Sequence, residues 1–187
     1  MDHFAEIAEM LPYYRFRNLV ETGIGTDLLR GGLAIAQLLE LQAYSCDNIP
    51  ERWTHARQVY PKAILGLMES VDFLRDVTPR IHGPTFFFLD AHLGTAGDLW
   101  PLYDELKTIS TVRDCSYDVV WCDDVQHIAD PANPACKGQR VGYTRADGTI
   151  WPGDTEHTLA EYIACLETTH DAVVDSTVLK FSPKRGE

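Results

Sequence analysis

The chain has 187 residues, with 16 basic against 28 acidic side chains, a net charge of −12, and 45% apolar content. That length suits one domain, residues 1–187, with a real core, and the acidity argues against a nucleic-acid surface, which tracks phosphates with Lys and Arg. Five irregularly spaced cysteines (Cys46, Cys115, Cys122, Cys136, Cys165) form no C-x-x-C pair and speak against a disulfide framework or a zinc site, and no apolar run approaches the ~20 residues of a membrane span.

Met1-Asp2-His3-Phe4 does not read as a signal peptide, so the expectation is a reduced, cytoplasmic protein. Residues 2–14 place Phe4, Ile7, Ala8 and Leu11 at helical spacing. A short strand follows over 17–21 and runs into Thr22-Gly23-Ile24-Gly25. Residues 26–40 read as a helix whose first half is weakened by Gly31-Gly32. A second strand covers 41–47, and Pro50 suits the first position of a helix over 50–60 because its missing N–H costs nothing there. A third strand is expected over 62–68 and a helix near 70–77. Residues 85–90, Thr-Phe-Phe-Phe-Leu-Asp, show no polar alternation, so both faces should be buried as in the middle of a parallel sheet. A helix over 98–111 leads to a fifth strand at 118–122, ending in Asp123-Asp124. Residues 128–154 contain Pro131, Pro134, Pro152 and four glycines and read as a long irregular loop. A helix over 155–169, with Thr155 as N-cap, precedes two strands at 172–175 and 177–181. Alternating strands and helices imply an α/β fold with a mostly parallel seven-stranded sheet. The last two strands are too close in sequence for a crossover and must pair antiparallel.

In such a sheet, ligands bind outside the carboxyl ends of the strands. The first strand ends in Glu21-Thr22-Gly23-Ile24-Gly25, the second in Cys46-Asp47-Asn48, the third in Met68-Glu69-Ser70, the fourth in Asp90-Ala91-His92 and the fifth in Asp123-Asp124. Each exit carries a carboxylate. Gly23-x-Gly25 is half of a dinucleotide fingerprint, and Asp47 follows at about the spacing from which an acid holds a ribose. Leu28 stands where the third glycine would be, and a pyrophosphate would meet Glu21 and Asp27. The rim therefore favours a nucleoside with a neutral or cationic tail, and S-adenosylmethionine is such a molecule.

Val20-Glu21-Thr22-Gly23, Leu89-Asp90-Ala91-His92 and Asp123-Asp124, in this order and spacing, make the chain resemble the class I S-adenosylmethionine-dependent methyltransferases. Tyr44-Ser45-Cys46-Asp47 before Pro50, Pro101-Leu102 with Glu105-Leu106, and Trp151-Pro152 extend the resemblance over nearly the whole chain. It implies a Rossmann-like three-layer sandwich and a cofactor site made of Glu21, Thr22, Gly23, Gly25, Asp47, Asn48, Glu69, Ser70 and Asp90. Within it, Glu21, Gly23 and Gly25 would line the methionine part, Asp47 the ribose, Glu69 and Ser70 the adenine, and Asp90 the sulfonium and the acceptor.

Neighbouring exits of the fourth and fifth strands would bring Asp90, His92, Asp123 and Asp124 together. Asp90, Asp123 and Asp124 are candidate ligands for Mg²⁺, or for Mn²⁺ if His92 joins them. Asp90, His92 and Asp123 are the candidate catalytic groups, with His92 as the base. His127 follows the Asp pair and is a weaker metal candidate; the remaining histidines have no ligand spacing. The expected activity is methyl transfer to a hydroxyl of a small molecule, with or without help from a metal. A nucleoside-binding protein without catalysis and a nicotinamide-dependent oxidoreductase are the competing readings. The sequence leaves the oligomeric state open, a homodimer being one option.

Overall fold

The computed structural model describes residues 3–25, 28, 31–91, 100–136, 142–144, 148 and 150–184. In chain order the elements are α1 (His3–Tyr14), β1 (Asn18–Thr22), α2 (Gly32–Leu38), β2 (Gln42–Asp47), α3 (Pro50–Val59), β3 (Ile64–Leu67), α4 (Ser70–Val77), β4 (Thr85–Leu89), α5 (Leu102–Val112), β5 (Val119–Cys122), β6 (Tyr143–Thr144), β7 (Ile150–Trp151), α6 (Leu159–Ala164), β8 (His170–Asp175) and β9 (Val178–Pro183).

Seven strands form one sheet in the order β3-β2-β1-β4-β5-β9-β8, while β6 and β7 pair separately. The first five are mutually parallel, so their carboxyl ends share one edge. Strand β9 lies antiparallel between β5 and β8, as the short 175–178 connection requires. The strand order reverses between β1 and β4, which makes that junction the topological switch point.

Period-two alternation sends successive strand residues to opposite faces. Val20, Phe87, Leu89, Val120 and Phe181 pack with residues of α4, α5 and α6. Leu19, Phe86, Val119, Trp121 and Val178 pack with α1, α2 and α3. The three-layer sandwich follows directly. The Phe run of β4 feeds both layers, as its lack of polar alternation predicts, and Phe86 meets Trp121 edge-on at 5.4 Å.

Three expectations shift in detail. The helix expected over 26–40 begins at Gly32, with 26, 27, 29 and 30 outside the described residues. A Cβ on Gly32 would lie 2.7 Å from Leu19 Cδ2 and 3.0 Å from Glu21 Oε1, so the glycine pair lets the helix start dock on β1. The helix expected over 155–169 is Leu159–Ala164, and its cap is Thr158 rather than Thr155. Thr158 and Glu161 form a reciprocal capping box that fixes the first turn. Within the loop expected over 128–154 a polar knot is built on Asn133, fully buried. Its Nδ2 donates to Val125 O at 2.7 Å and Ile128 O at 3.3 Å. No described helix is long and apolar enough to cross a membrane, and all five cysteines are free.

Candidate cofactor and acceptor site

The carboxyl rim is held together by backbone bonds between exits. Gly23 and Ile24 N–H donate to Cys46 O at 3.1 and 3.2 Å, tying the β1 exit to β2. Asp90 N–H donates to both the carbonyl and the hydroxyl of Thr22, and Asp123 N–H donates to Leu89 O at 3.0 Å, tying β4 to β1 and β5 to β4. Thr22, fully buried, thus positions Asp90 rather than facing a ligand. Gly23 has φ +81°, and a Cβ there would lie 2.6 Å from Asp90 O, so only glycine permits the strand exits to approach this closely. Gly25 also has positive φ, +67°, but a Cβ there would meet nothing within 4 Å among the described residues. The first glycine serves the protein's own packing, whereas the second opens onto space.

Glu21 does not line that space. It is 2% exposed and turned toward α2, where Oε1 accepts from Gly32 N–H, while Oε2 accepts from Ser45 Oγ at 3.2 Å. Ser45 is its cross-strand register partner. The carboxylate therefore anchors the first turn of α2. Burial pushes its pKa up to about 7, against the pull of the Gly32, Ser45 and Leu33 hydrogen bonds and with help from the charge of Asp47.

Asp47 closes β2 and is 5% exposed. Its Oδ1 accepts from Ile49 N–H at 2.9 Å. Its Oδ2 is buried without a hydrogen bond, the Arg52 guanidinium lying 3.7 Å away. A buried carboxylate oxygen normally has a donor. Next door, Asn48 Nδ2 donates to Glu69 Oε1 at 2.9 Å, which ties the β2 and β3 exits together. Glu69 is exposed, and Ser70, buried, begins α4. Asp47, Asn48, Glu69 and Ser70 thus stand together at one end of the rim.

The expected metal set is not assembled. Among the described residues, no three His, Cys, Asp or Glu side chains group as cation ligands. Asp123 Oδ1 accepts from Asp124 N–H at 2.8 Å and from the Thr177 hydroxyl at 3.4 Å. Asp124, in the left-handed region at φ +58°, accepts from Gln126 Nε2 at 2.8 Å. These bonds engage the two carboxylates within their own loop and with Thr177. Asp90 itself is half-buried at the rim. His92, the expected base, lies outside the described residues. Burial foremost, then nearby Glu105, pushes the thiols of Cys46 and Cys122 well up, so neither offers a thiolate.

An aromatic group stands beyond β5 and includes Trp100 and Trp151, two tryptophans that the sequence offers for an acceptor pocket. Trp100 stacks on Trp151 at 5.0 Å, and His127 packs edge-on against both. His127 Nδ1 accepts from Gly142 N–H at 3.2 Å. Alongside, Tyr103 at the start of α5 stacks on His157 at 3.7 Å. The His157 Nδ1 lies 3.1 Å from Asp154 Oδ2, which also accepts from Tyr162 Oη at 2.6 Å. Asp154 is tied to the β5 exit by its N–H to His127 O at 2.9 Å and by Ala129 N–H to its carbonyl at 2.8 Å. The signal in the sequence was Asp154-x-x-His157 directly before the Thr158-x-x-Glu161 box.

No protein-family profile and no curated protein matches the chain. Solved structures do. A provisional S-adenosylmethionine-dependent methyltransferase from Listeria monocytogenes is similar over 100% of this chain and 99% of its own, with 15% identity and a TM-score of 0.56. The apo form of the S-adenosylmethionine-dependent methyltransferase SibL is similar over 97% of this chain and 55% of its own, at 15% identity and a TM-score of 0.55. A 1,6-didemethyltoxoflavin-N1-methyltransferase from Burkholderia thailandensis, solved with its substrate and S-adenosylhomocysteine, is similar over 93% of this chain and 73% of its own, at 11% identity and a TM-score of 0.50. At these identities the likeness establishes a shared Rossmann-like fold.

Proposed function

We propose that the chain is an S-adenosylmethionine-dependent methyltransferase acting on a small molecule, with residues 1–187 as one catalytic domain. The observation that carries this reading is the buried Oδ2 of Asp47 at the end of β2, which has no hydrogen bond, on a rim whose second glycine has open space beside it among the described residues. That pair fits a nucleoside. The two ribose hydroxyls donate to Asp47, the adenine lies toward Glu69 and Ser70, and the Gly23–Gly25 turn admits the methionine part close to the backbone. The fold shared with three solved methyltransferases supports the same assignment. Leu28, 7% exposed in the core at the third-glycine position, weighs against a dinucleotide.

Methyl transfer is an in-line displacement and depends chiefly on proximity and orientation. The protein's part is to hold the donor on β1 and β2 and to present the acceptor from the β4 and β5 side, where Asp90 stands nearest the switch point. The expected acceptor is an O–H of a small molecule. Titration calorimetry with S-adenosylhomocysteine and, separately, NADH tests the assignment. Binding of the former in the micromolar range with no detectable NADH binding is expected; the reverse selectivity overturns it.

A further inference from the structure

We propose that His157 is the general base for the methyl acceptor, held by Asp154, and that the acceptor is a planar compound with an acidic proton, a phenol-type O–H or a heteroaromatic N–H. The inference rests on the methyltransferase reading above.

Asp154 is 8% exposed and carries a full set of donors. Its Oδ1 accepts from the N–H groups of Glu156 and His157 at 2.9 and 3.1 Å, and its Oδ2 from Tyr162 at 2.6 Å. Burial works to raise its carboxyl, but the bonds from Tyr162, Glu156 and His157 hold it below the ordinary value, so a carboxylate faces His157 Nδ1 at 3.1 Å. A ring nitrogen beside a carboxylate keeps its proton, which leaves the Nε2 lone pair free. No hydrogen bond occupies Nε2 among the described residues, and the side chain is 29% exposed. Tyr103 fixes the ring plane by stacking at 3.7 Å. Tyr162 and Glu161 are the other titratable groups facing the ring.

The position is also right. Asp154 hangs on the β5 exit through His127, and Tyr103 lies on the first turn of α5, which follows the β4 exit. The dyad is therefore attached to the segments that follow β4 and β5. A purely structural Asp154 would need only the turn and the Tyr162 bond. The added imidazole, oriented by both carboxylate and ring stack with a bare edge, is what a base requires.

Proton balance is simple. The acceptor X–H gives its proton to His157 Nε2, and the X lone pair bonds the methyl carbon. The carbon–sulfur bond breaks with its electrons going to sulfur. The methylated acceptor and S-adenosylhomocysteine leave, and the imidazolium returns its proton to water. An imidazole works best on a proton of comparable acidity. Phenols and heteroaromatic N–H groups come near that match and aliphatic alcohols do not.

The test uses the full chain with methyl-labelled S-adenosylmethionine and a probe set of small phenols, heteroaromatic N–H compounds and aliphatic alcohols. Transfer to a phenol or N–H probe that falls at least about 100-fold in His157→Gln, with S-adenosylhomocysteine affinity within about twofold of wild type, is the expected result. In Asp154→Asn the ascending limb of the pH profile should move, and in Asp154→Glu it should move back toward wild type. Transfer that His157→Gln leaves intact, or transfer to aliphatic alcohols only, overturns the proposal. If no probe turns over, the ring ¹H–¹⁵N correlations decide. An Nδ1–H tautomer that converts to Nε2–H in Asp154→Asn, with ring signals that move when S-adenosylhomocysteine is added, supports it. A wild-type Nε2–H tautomer, or ring signals blind to S-adenosylhomocysteine, overturns it. Absence of S-adenosylhomocysteine binding by wild type overturns both this inference and the methyltransferase reading. Normal binding with an unaffected His157→Gln removes this inference alone.

Discussion

At the amino end of the sheet Asp118 is fully buried against Arg113, whose Nε and Nη2 reach its two oxygens at 2.6 and 2.9 Å. The same guanidinium donates to Ile81 O and Gly83 O at 2.6 and 2.8 Å, and Thr85 N–H adds a further bond to Asp118. At the carboxyl end Glu21 is equally buried but, among the described residues, holds only neutral donors, the N–H groups of Gly32 and Leu33 and the hydroxyl of Ser45. Burial pushes both carboxyls up; Arg113 pulls back at Asp118, and no described cation does so at Glu21. Asp47, next to Glu21, keeps an oxygen without a hydrogen bond. One end of the sheet is closed for stability, and the other stores unmet polar demand. Proteins place such demand where a ligand will meet it.

The largest test of this contrast is Arg113→Met. It strands Asp118 in the interior, and removing one partner of a buried pair costs about 3–5 kcal/mol. Urea unfolding should show that loss with the m-value unchanged. A loss under about 1 kcal/mol would mean that the amino end is not the lock described here.

Glu21→Gln should act with the opposite sign. A carboxyl whose pKa rises on folding from 4.5 to about 7 ionises less readily folded than unfolded. Its contribution to stability is whole below pH 4.5 and is lost as pH rises through about 7. Glutamine keeps the acceptor for α2 and offers its amide to Ser45 Oγ without a charge. The variant should therefore match wild type near pH 4.5 and exceed it at pH 8 by about 3 kcal/mol, read from parallel urea titrations. His170, at the amino end, bends the curve at acid pH. Burial lowers its pKa, although its Nε2 donates to Asp118 O at 2.9 Å, so its contribution is lost as pH falls below the ordinary histidine range.

The sheet was legible because its signal is apolar periodicity. The β4 run, the Pro50 helix start and the short final connection each left one arrangement open. What spacing could not show was where a carboxylate turns. Glu21, Asp47, Asp90 and Asp123 look alike as strand-end acids. Yet Glu21 anchors α2, Asp123 holds its own loop, and Asp47 alone keeps an unbonded buried oxygen. The expected Asp90–Asp123–Asp124 metal set does not appear as a group among the described residues. The Asp154–His157 pair went unseen because its meaning needs Tyr103 and Tyr162, which are distant or unremarkable in sequence. Thr158 was legible in principle, through its i+3 glutamate.

The central claim is that the carboxyl rim takes a nucleoside through Asp47, and Asp47→Asn tests it most directly. The substitution keeps an oxygen for Ile49 N–H but replaces the ribose acceptor with a donor, so folding stability should change by less than about 1 kcal/mol. Calorimetric affinity for S-adenosylhomocysteine should fall by roughly 10- to 100-fold, the worth of hydrogen bonds to a charged group. An unchanged affinity in the folded variant would contradict the account.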